Sequence, residues 1–370
     1  MRKNVAVIFG SKSVEHEISI ITANQILNAI DRNKYNVIPV YINKDGDWYT
    51  GSVLEKIENF KNLNLIEKKA KKINQFKKKN SKLLLKTNFK TYEIDLCILA
   101  THGTYGEDGS LQGFCEMFDI PYTGSGILSS AIAMDKVLTK LILKENNIPV
   151  VDFKYITKQD WDSSYDKFIE TCEKELGYPM YIKPARLGSS IGISKVYSKE
   201  EFITSAEVAF SFDNKILVER SIENAKELNC AVLGYKQPIV SEIEEIIKQK
   251  EFFDFKEKYI NKGKKFSNHK IPAELDENIK QEIIKLAVKT FKSLDCYGNI
   301  RIDFLYKDKI YVNEVNTIPG AMAFYLWQAS GITFTHLIDN LINIAEKVYK
   351  DKKKKIYSID TNILSIKVTK

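Results

Sequence analysis

The sequence predicts an α/β fold for its first third and an α+β fold for the remainder. Near the N-terminus, apolar runs typical of buried strands alternate with a helical pattern. After residue 216, three strand-like runs and a hairpin pattern surround a single helical segment at 276–293. Alternation of strands with helices favours an open parallel sheet, whereas clustered strands favour an antiparallel one. We therefore expect an N-terminal parallel-sheet domain, followed by a region of helices and antiparallel strands.

The first predicted elements form a strand–helix–strand unit. The continuous apolar run NVAVIFG, at 4–10, predicts a buried strand, and a helix follows from about Glu15 to Ala29. Ser13 is the expected N-cap of this helix. The positions spaced for its buried face are Ile18, Ile21, Ile26 and Ile30. The runs NVIPVYI (36–42) and DLCILA (95–100) predict two further strands. A parallel sheet of this kind binds ligands at the carboxyl ends of its strands.

The later elements indicate three units and a tail. We expect the lysine-rich stretch 67–82 to be an insertion or an exposed connection, and PYTGSG (121–126) to be a turn-rich boundary. A single helix is predicted in LSSAIAMDKVLTKLILKENN, at 128–147. The expected units are a Rossmann-like domain at 1–125, a central part at 126–206, a C-terminal part at 207–350 and a tail at 351–370.

Composition excludes several functional classes. The 370 residues are 44% apolar, enough for two or three domains with packed cores. Five cysteines without a CxxC pair and four dispersed histidines argue against a disulfide framework, a zinc site and an Fe–S cluster. The net charge of +8 comes largely from lysine blocks at 67–82 and 350–357, without a motif for nucleic-acid binding. No signal peptide or membrane span is predicted, so we expect a cytosolic protein.

The hairpin RIDFLYKDKIYVNEVN, at 301–316, is the first candidate for chemistry. If its turn centres on the Lys-Asp-Lys triplet, Asp303 lies opposite Glu314 and Arg301 lies opposite Asn316, all on one face. Opposed carboxylates repel each other, unless a cation lies between them. Mg²⁺ is usually held by one or two carboxylates together with substrate phosphates. A solvated sheet face is the alternative, but the nearby arginine could neutralise an anionic transition state.

A second segment supplies a candidate phosphate loop. In IKPARLGSSIG, at 182–192, Lys183 ends a strand and precedes a loop that contains Ser189 and Ser190. Backbone N–H groups and hydroxyls in such a loop can bind phosphates, with the lysine as a point charge. The segment is not a Walker A motif, and a plain hairpin turn is the alternative.

Two further segments extend this nucleotide hypothesis. Glu219 and Glu227 flank an irregular link that could hydrogen-bond an adenosine. Lys136 lies one helical turn before Lys140. Surface carboxylates and a solvated helix face are the respective alternatives.

The segment THGTYGEDGSLQG, at 101–113, directly follows a predicted buried strand. Its glycines permit close backbone approach, and EDGSLQG can open a helix whose N-terminus points at a cleft. Taken singly, His102 and Glu15 fit structural hydrogen bonding better than they fit catalysis.

Seven segments together resemble one enzyme family. SVEHEIS, HGTYGEDGSLQG, YTGSG, AMDK, IKPARLGSSIG, KEKY and RIDF…NEVNTIPG occur in the order found in D-alanine–D-alanine ligases, members of the ATP-grasp superfamily. The resemblance covers residues 4–347 and implies an ATP-grasp fold with an N-terminal Rossmann-like domain. It implies that ATP converts one D-alanine to an acyl phosphate, which the amine of a second D-alanine attacks. The dipeptide would serve peptidoglycan precursor synthesis.

The resemblance also implies roles in substrate binding and catalysis. Glu15 would bind the ammonium group of the first D-alanine, beside His102, and Ser189 would position Glu15 and Tyr259. Arg301 and the amide of Gly320 would stabilise the tetrahedral oxyanion.

The remaining implied roles concern ATP, metal and the closing loop. The ATP-binding residues would be Lys136, Lys183, Ser190, Glu219 and Glu227. Two Mg²⁺ ions, with Mn²⁺ as an alternative, would be bound by Asp303, Glu314 and Asn316. A polar segment at 252–272 would carry Lys258 and Tyr259 and close over the site, because an acyl phosphate hydrolyses if water reaches it. The tyrosine of KEKY favours an amine acceptor. The family resemblance also implies a homodimer.

Two features depart from the family pattern. After NTIPG the family commonly continues with a Ser-His-Ser type stretch, whose last serine binds the carboxylate of the second D-alanine. This chain has AMAFYLW, which places Tyr325 at that position. The link between Glu219 and Glu227 is one residue longer than usual. One alternative is therefore an ATP-grasp ligase with a different second substrate. Another is a nucleotide-binding homologue without activity, against which the complete set of metal and oxyanion residues argues.

Overall fold

The N-terminal sheet is mixed rather than wholly parallel. The computed structural model describes residues 2–247, 268–361 and 363. The strands of the first sheet are β1 (Lys3–Gly10), β2 (Tyr35–Ile42), β3 (Trp48–Thr50), β4 (Lys71–Lys79), β5 (Lys82–Thr87), β6 (Thr91–Ile94) and β7 (Leu96–Leu99). Their order is β6-β5-β4-β3-β2-β1-β7. β1 pairs in parallel with β2 and β7, whereas β2 to β6 pair antiparallel. The predicted parallel sheet is therefore the three-stranded part around β1.

The predicted strand–helix–strand unit is confirmed, with two corrections. Helix α1 (His16–Ala29) follows β1, and its N-cap residue is Glu15 rather than Ser13. The Ser13 hydroxyl instead accepts a hydrogen bond from the Glu15 N–H at 3.1 Å, in a turn before the helix. Ile21 was expected on the buried face but is exposed, because the core packs against the neighbouring face that carries Ile20.

The lysine-rich stretch 67–82 is not an exposed connection, which corrects one of the two alternatives predicted for it. It covers the end of α2 (Leu63–Lys69) and β4, which pairs with β3 and β5. Most side chains of β4 are exposed, and Ile73 is its only buried residue. High charge correctly predicted exposure, but an antiparallel strand can have a solvated face and still belong to a sheet.

The helix predicted at 128–147 is two helices. After α3 (Ser110–Met117), the chain forms α4 (Ile127–Met134) and α5 (Lys136–Glu145). Asp135 separates these two helices. The Asp135 carboxylate accepts hydrogen bonds from the N–H groups of Val137 and Leu138, both at 3.1 Å. This N-cap begins a new helix inside a continuous helical pattern.

The second sheet is antiparallel and is covered by two helices. Its strands are β8 (Phe153–Thr157), β9 (Met180–Pro184), β10 (Ser194–Val196) and β11 (Lys215–Arg220), in the order β10-β9-β11-β8. The helices are α6 (Lys158–Glu175) and α7 (Lys199–Phe210). β11 lies after the domain boundary predicted at 206, yet it pairs with β8 and β9. This pairing favours a boundary beyond residue 220.

The third sheet carries the hairpin. Its strands are β12 (Lys226–Gly234), β13 (Ile239–Val240), β14 (Glu244–Ile247), β15 (Asn268–Lys270), β16 (Gly298–Tyr306) and β17 (Ile310–Asn316). The main order is β15-β14-β12-β16-β17, with β13 beside β12. Helix α8 (Glu277–Ser293) packs against this sheet together with residues of α4 and α5. The α+β prediction for this region is confirmed.

The C-terminal helices complete the N-terminal core. α9 (Phe324–Ala329) and α10 (Phe334–Lys352) share one buried cluster with the strands of the first sheet. Trp327 and Leu337 are fully buried in that cluster. Within the described part of the chain, no helix is both long enough and apolar enough to cross a membrane.

Candidate active site

One cavity collects most of the residues predicted for the site. It lies between the start of α1, the loop after β7, the loop after β9 and the strands β16 and β17. The predicted residues that line it are Glu15, His102, Lys136, Ser189, Ser190, Arg301, Asp303, Glu314, Asn316 and Gly320. Residues more than 300 positions apart in the chain, such as Glu15 and Gly320, therefore meet at one place, which periodicity alone did not predict.

Glu15 is held by the loop that approaches from the second sheet. The Ser189 hydroxyl donates a hydrogen bond to the Glu15 carboxylate. A Cβ atom on Gly188 would lie 2.7 Å from this carboxylate, and one on Gly103 would lie 2.8 Å from it. At both positions a side chain would displace this carboxylate, because the backbone passes directly against it. Glu15 is thereby fixed at the cavity wall as an acceptor for a cationic group.

The partners of the buried His102 ring determine its tautomer. Nδ1 lies 2.9 Å from the Ile318 carbonyl oxygen, which can only accept, so Nδ1 carries a proton. Nε2 lies 2.8 Å from the Thr22 hydroxyl, which accepts the Ala321 N–H at 3.1 Å. Burial lowers the pKa of His102 to about 4, so the ring is neutral and Nε2 accepts the Thr22 proton. His102 thus ties α1 to the turn after β17.

Glu107 is a cavity residue that the sequence reasoning missed. Its carboxylate accepts the Ile318 N–H at 2.9 Å and the Gly103 N–H at 3.2 Å. Removal from bulk water, together with the negative charge of Glu15, raises the pKa of Glu107 to about 8. Glu107 is therefore mainly protonated at neutral pH. The signal for it lies in the motif HGTYGEDGSLQG, where Glu107 directly follows a glycine in the segment predicted to face a cleft.

The hairpin has the two pairings that the sequence predicted, but they depend on a β-bulge between Asp303 and Phe304 that shifts the register by one residue. Asp303 lies opposite Glu314, and Arg301 lies opposite Asn316. Nε and Nη2 of Arg301 donate to the two oxygens of Asp303 at 2.7 and 2.9 Å, a bidentate ion pair. Burial disfavours the guanidinium charge, but the Asp303 carboxylate more than offsets this and raises the pKa of Arg301. Glu314 pairs with Lys136 at 3.2 Å, so each carboxylate of the hairpin has a basic partner.

Glu219 is buried between two lysines. Its carboxylate forms ion pairs with Lys140, at 2.5 Å, and with Lys183. The side chain of Lys140 is only 2% exposed, so the alternative of a solvated helix face is wrong. Burial alone would raise the pKa of Glu219, but the two lysines lower it to about 2. Burial lowers the pKa of Lys140, whereas for Lys183 the Glu219 charge outweighs burial and raises the pKa.

Several predicted site residues lie elsewhere. Lys183, Glu219, Glu227 and Tyr325 are not among the residues that line the cavity. Glu227 lies on β12, two residues before Asn229. Asn229 is paired with Asp303 on the neighbouring strand β16. Lys258 and Tyr259, and most of the segment 252–272, lie outside the described residues. Among the described residues, no group of three or more His, Cys, Asp and Glu side chains is arranged to hold a metal ion.

Two antiparallel sheets flank this cavity: the third sheet carries the paired carboxylates of β16 and β17, and the second carries Lys183 on β9, followed by the glycine- and serine-rich loop that lines the cavity. This architecture defines a nucleotide-dependent ligase of the ATP-grasp class. Family descriptions for the D-Ala-D-Ala ligase N-terminus and C-terminus match residues 4–125 and 142–343, respectively. The chain therefore belongs to the D-alanine–D-alanine ligase family.

Individual relatives support the same assignment over almost the whole chain. The D-alanine–D-alanine ligase of Thermosipho melanesiensis is 60% identical over 367 residues, which cover 99% of both chains. That of Thermosipho africanus is 59% identical over 369 residues, which cover 99% of this chain and all of the relative.

Solved structures share the fold. The D-alanine–D-alanine ligase of Coxiella burnetii aligns with a TM-score of 0.83 at 30% identity, covering 95% of this chain and 96% of that one. The VanG D-Ala:D-Ser ligase of Enterococcus faecalis aligns with a TM-score of 0.80 at 34% identity, covering 93% of this chain and 100% of that one.

Proposed function

We propose that this protein uses ATP to join two molecules of D-alanine into D-alanyl-D-alanine, a peptidoglycan precursor. The observation that carries the proposal is the cavity in which Glu15, the Ser189 loop and the Arg301–Asp303 pair meet. A site for an amino group thus lies beside a site for phosphates. The relatives at 59–60% identity support the same reaction.

The first D-alanine would bind at Glu15. Its ammonium group suits a carboxylate that is oriented by the Ser189 hydroxyl. The neutral His102 and the largely protonated Glu107 add no full charge beside it. Glu15 is therefore the principal counterion for the ammonium group in this corner of the cavity, and the carboxylate of the same D-alanine can point toward the hairpin.

The nucleotide phosphates would bind between the loop and the hairpin. Lys136, Lys183 and Ser190 supply cationic and hydroxyl donors, while Glu219 and Glu227 would serve the adenosine. We propose Mg²⁺ at Asp303, Glu314 and Asn316. The donor set fits, because two carboxylates and an amide oxygen are hard ligands on one sheet face and substrate phosphates complete such sites. When bound, the metal would neutralise phosphate charge.

The chemistry would proceed in two steps. An oxygen of the D-alanine carboxylate attacks the terminal phosphorus of ATP, and ADP leaves, which forms D-alanyl phosphate. The amine of the second D-alanine then attacks the carbonyl carbon, and phosphate leaves from the tetrahedral intermediate with loss of a proton. Arg301 and the Gly320 amide would stabilise the oxyanion. Lys258 and Tyr259 would belong to a segment that excludes water.

A different acceptor is the second candidate. Tyr325 stands where the family commonly has the serine for the second carboxylate, and a solved relative at 34% identity is a D-Ala:D-Ser ligase. These two observations favour D-serine as the first alternative acceptor to test.

The test is phosphate release from ATP and Mg²⁺, first with D-alanine alone and then with D-alanine plus D-serine, D-lactate or other amino acids. We expect turnover on D-alanine alone, with the dipeptide identified by mass. Turnover that needs another acceptor would support the second candidate. No turnover with any acceptor would refute both. Light scattering would test the proposed homodimer.

A further inference from the structure

The turn that follows β17 has an unusual backbone. It spans Gly320–Ala323, and its glycine lines the active-site cavity. Ala321, Met322 and Ala323 all have left-handed backbone angles, with φ of 52°, 52° and 48°. Consecutive residues with a Cβ rarely adopt this conformation, because each Cβ lies too close to the following carbonyl oxygen. Such a turn persists only where the surrounding structure holds it.

Helix α1 holds the first left-handed residue of this turn. The Thr22 hydroxyl accepts the Ala321 N–H at 3.1 Å, and it lies 2.8 Å from Nε2 of His102. Thr22 donates its proton to that nitrogen, so its lone pairs are left for the Ala321 N–H. Thr22 is 1% exposed, so bulk water does not compete for this contact. The hydrogen bond therefore fixes the peptide group between Gly320 and Ala321.

Asn299 holds the second left-handed residue. Its Nδ2 donates to the Met322 carbonyl oxygen at 2.8 Å, and its Oδ1 accepts from Nε1 of Trp327, also at 2.8 Å. A carbonyl oxygen only accepts and an indole N–H only donates, so these two partners fix the orientation of the Asn299 amide. Asn299 and Trp327 are both buried. The turn is therefore anchored by α1 on one side and by β16 on the other.

The strand that anchors the turn also carries Arg301. Asn299 and Arg301 lie two residues apart on β16, so their side chains project to the same face of the sheet. Asn299 donates to the turn that begins at Gly320, and Arg301 lines the cavity together with Gly320. The N–H and the carbonyl oxygen of Ile318 are also held by side chains of the N-terminal domain. Contacts on both sides of the glycine therefore set the position of its amide relative to Arg301.

We propose that Thr22 and Asn299 are positioning residues for the Gly320 amide. They hold the left-handed turn after the glycine, so that the Gly320 N–H acts together with the Arg301 guanidinium. This inference rests on the proposed function, in which these two groups stabilise the tetrahedral oxyanion. Neither Thr22 nor Asn299 is among the residues that line the cavity. Both therefore act on the reaction through the turn rather than through contact with a substrate.

The first test compares Thr22→Val with Thr22→Ser in the dipeptide assay, with KM measured for ATP and for each D-alanine. Valine has the shape of threonine but cannot accept the Ala321 N–H, whereas serine keeps the hydroxyl. We expect Thr22→Val to lower kcat by about 10- to 100-fold with little change in KM, because a misplaced oxyanion donor loses less than a deleted one. Thr22→Ser should keep kcat close to the wild-type value.

A tetrahedral inhibitor gives a readout that a purely structural role would not change. A dipeptide analogue with a phosphinate in place of the reacting carbonyl resembles the tetrahedral intermediate. Its affinity for Thr22→Val should fall by about the same factor as kcat, since both depend on the oxyanion donors. The affinities for ATP and D-alanine should stay as in the wild type.

Asn299→Asp tests the other anchor of the turn. The carboxylate has the shape of the amide, but it loses the donor and places an oxygen against the Met322 carbonyl oxygen. We expect kcat and the affinity for the phosphinate to fall together, as in Thr22→Val. If one of these two variants does not fold, the other decides the question by itself.

The matched control is Thr50→Val. Thr50 is as buried as Thr22, belongs to the N-terminal sheet and donates to the Pro39 carbonyl oxygen at 2.8 Å. It does not line the cavity. The substitution removes the same hydroxyl from the same domain, so it should lower stability to a similar extent and leave kcat unchanged. Thermal unfolding of every variant measures the stability change.

Three outcomes would overturn the inference. A raised KM for the first D-alanine with unchanged kcat in Thr22→Val would mean that Thr22 acts through His102 on that substrate. Unchanged kinetics in Thr22→Val and Asn299→Asp would remove both residues from the reaction, and an equal loss of kcat in Thr50→Val would show that activity only follows stability. A wild-type protein that makes no dipeptide would refute the proposed function, whereas normal wild-type activity with insensitive variants refutes only the positioning role.

Discussion

Charged residues around the cavity are held in pairs, and each pair sets the protonation of its members. The charge of the half-buried Arg301 is stabilised because both carboxylate oxygens of Asp303 accept hydrogen bonds from its guanidinium. Glu219 keeps its charge because Lys140 and Lys183 lie on either side. Breaking such a buried pair leaves one charge without compensation, which costs more than the pair contributes. Single substitutions at this scale should therefore have large and specific effects.

Arg301→Ala should lower kcat by ~10²–10³-fold while ATP binding is retained, since the loss of one oxyanion donor has this magnitude. Steady-state kinetics and nucleotide titration measure the two effects separately. An unchanged kcat would remove Arg301 from the mechanism. If Arg301→Ala weakened ATP binding by the same factor as it lowered kcat, the ion pair of Arg301 with Asp303 would mainly serve the nucleotide site.

Glu107→Gln should change how stability depends on pH. The wild-type carboxyl has a pKa of about 8 in the folded protein against an ordinary 4.5, so between these values only the unfolded chain loses its proton. Stability should therefore fall as pH rises from about 4.5 to about 8 in the wild type. Glutamine cannot titrate, so the variant should gain stability relative to the wild type across this window. Urea unfolding at several pH values tests this, and parallel curves would contradict it.

At the scale of elements, two local devices place the site residues. Asp135 interrupts a helical pattern and begins α5 at Lys136, which brings that lysine to Glu314 and to the Leu187 carbonyl oxygen at 2.7 Å. Gly188 lets the loop after β9 pass directly against Glu15. In both cases, the Asp135 N-cap and Gly188, a single residue determines the position of a whole segment.

Asp135→Ala should destabilise the protein by about 1 kcal/mol through loss of the N-cap, with a further loss from its ion pair to Lys215. It should also raise KM for ATP, because Lys136 would no longer be held at the start of α5. Ser198→Ala is the matched control, since Ser198 caps α7 in the same way and does not line the cavity. An ATP affinity that changes equally in both variants would argue against a role for the Asp135 cap in the site.

Gly188→Ala should raise KM for the first D-alanine about tenfold or more, because the new methyl group displaces a carboxylate that makes charge-assisted hydrogen bonds. Gly113→Ala is the control, since a Cβ there meets its nearest atom only at 3.9 Å. Initial-rate kinetics at varied D-alanine separate the two substrate sites. An effect confined to the KM for ATP would count against the placement of the first substrate at Glu15.

At the scale of the whole molecule, the end of the chain stabilises its beginning. α10 lies in the same buried cluster as β1 and β2, so the N-terminal domain lacks part of its core without residues 334–352. The third sheet also contributes to that cluster through Ala231 and Leu233. Residues far apart in sequence therefore stabilise one another, which favours joint unfolding of the N-terminal sheet and the C-terminal helices.

Leu337→Ala should lower the free energy of unfolding by about 2–5 kcal/mol, since Leu337 is fully buried in the shared core. The transition should stay single, with the N-terminal sheet and α10 unfolding together. Asn343→Ala, on an exposed position of the same helix, should have little effect. Separate transitions in calorimetry would show instead that the two parts unfold independently.

The sequence by itself determined the order of the elements, the strand patterns around β1 and the two strands of the hairpin with their turn, whereas the β-bulge that sets the pairing of Asp303 with Glu314 came from the structure. These features are local: apolar runs, a three-residue turn and the two-residue period of strands are visible within a few positions. Half of the residues that line the cavity were also predicted from the sequence, mainly through resemblance, because collinear motifs identify chemistry without a structure.

Only the tertiary structure decided what depends on contact between distant segments. The lysine-rich strand β4, the buried Lys140 and the contacts of Glu107 all follow from partners that lie far away in the chain. Charge and periodicity predict whether a residue prefers water, but a neighbouring carboxylate or backbone N–H can reverse that preference when it offsets the cost of burial. The sequence does not show which group will lie next to a given residue, because that depends on the fold.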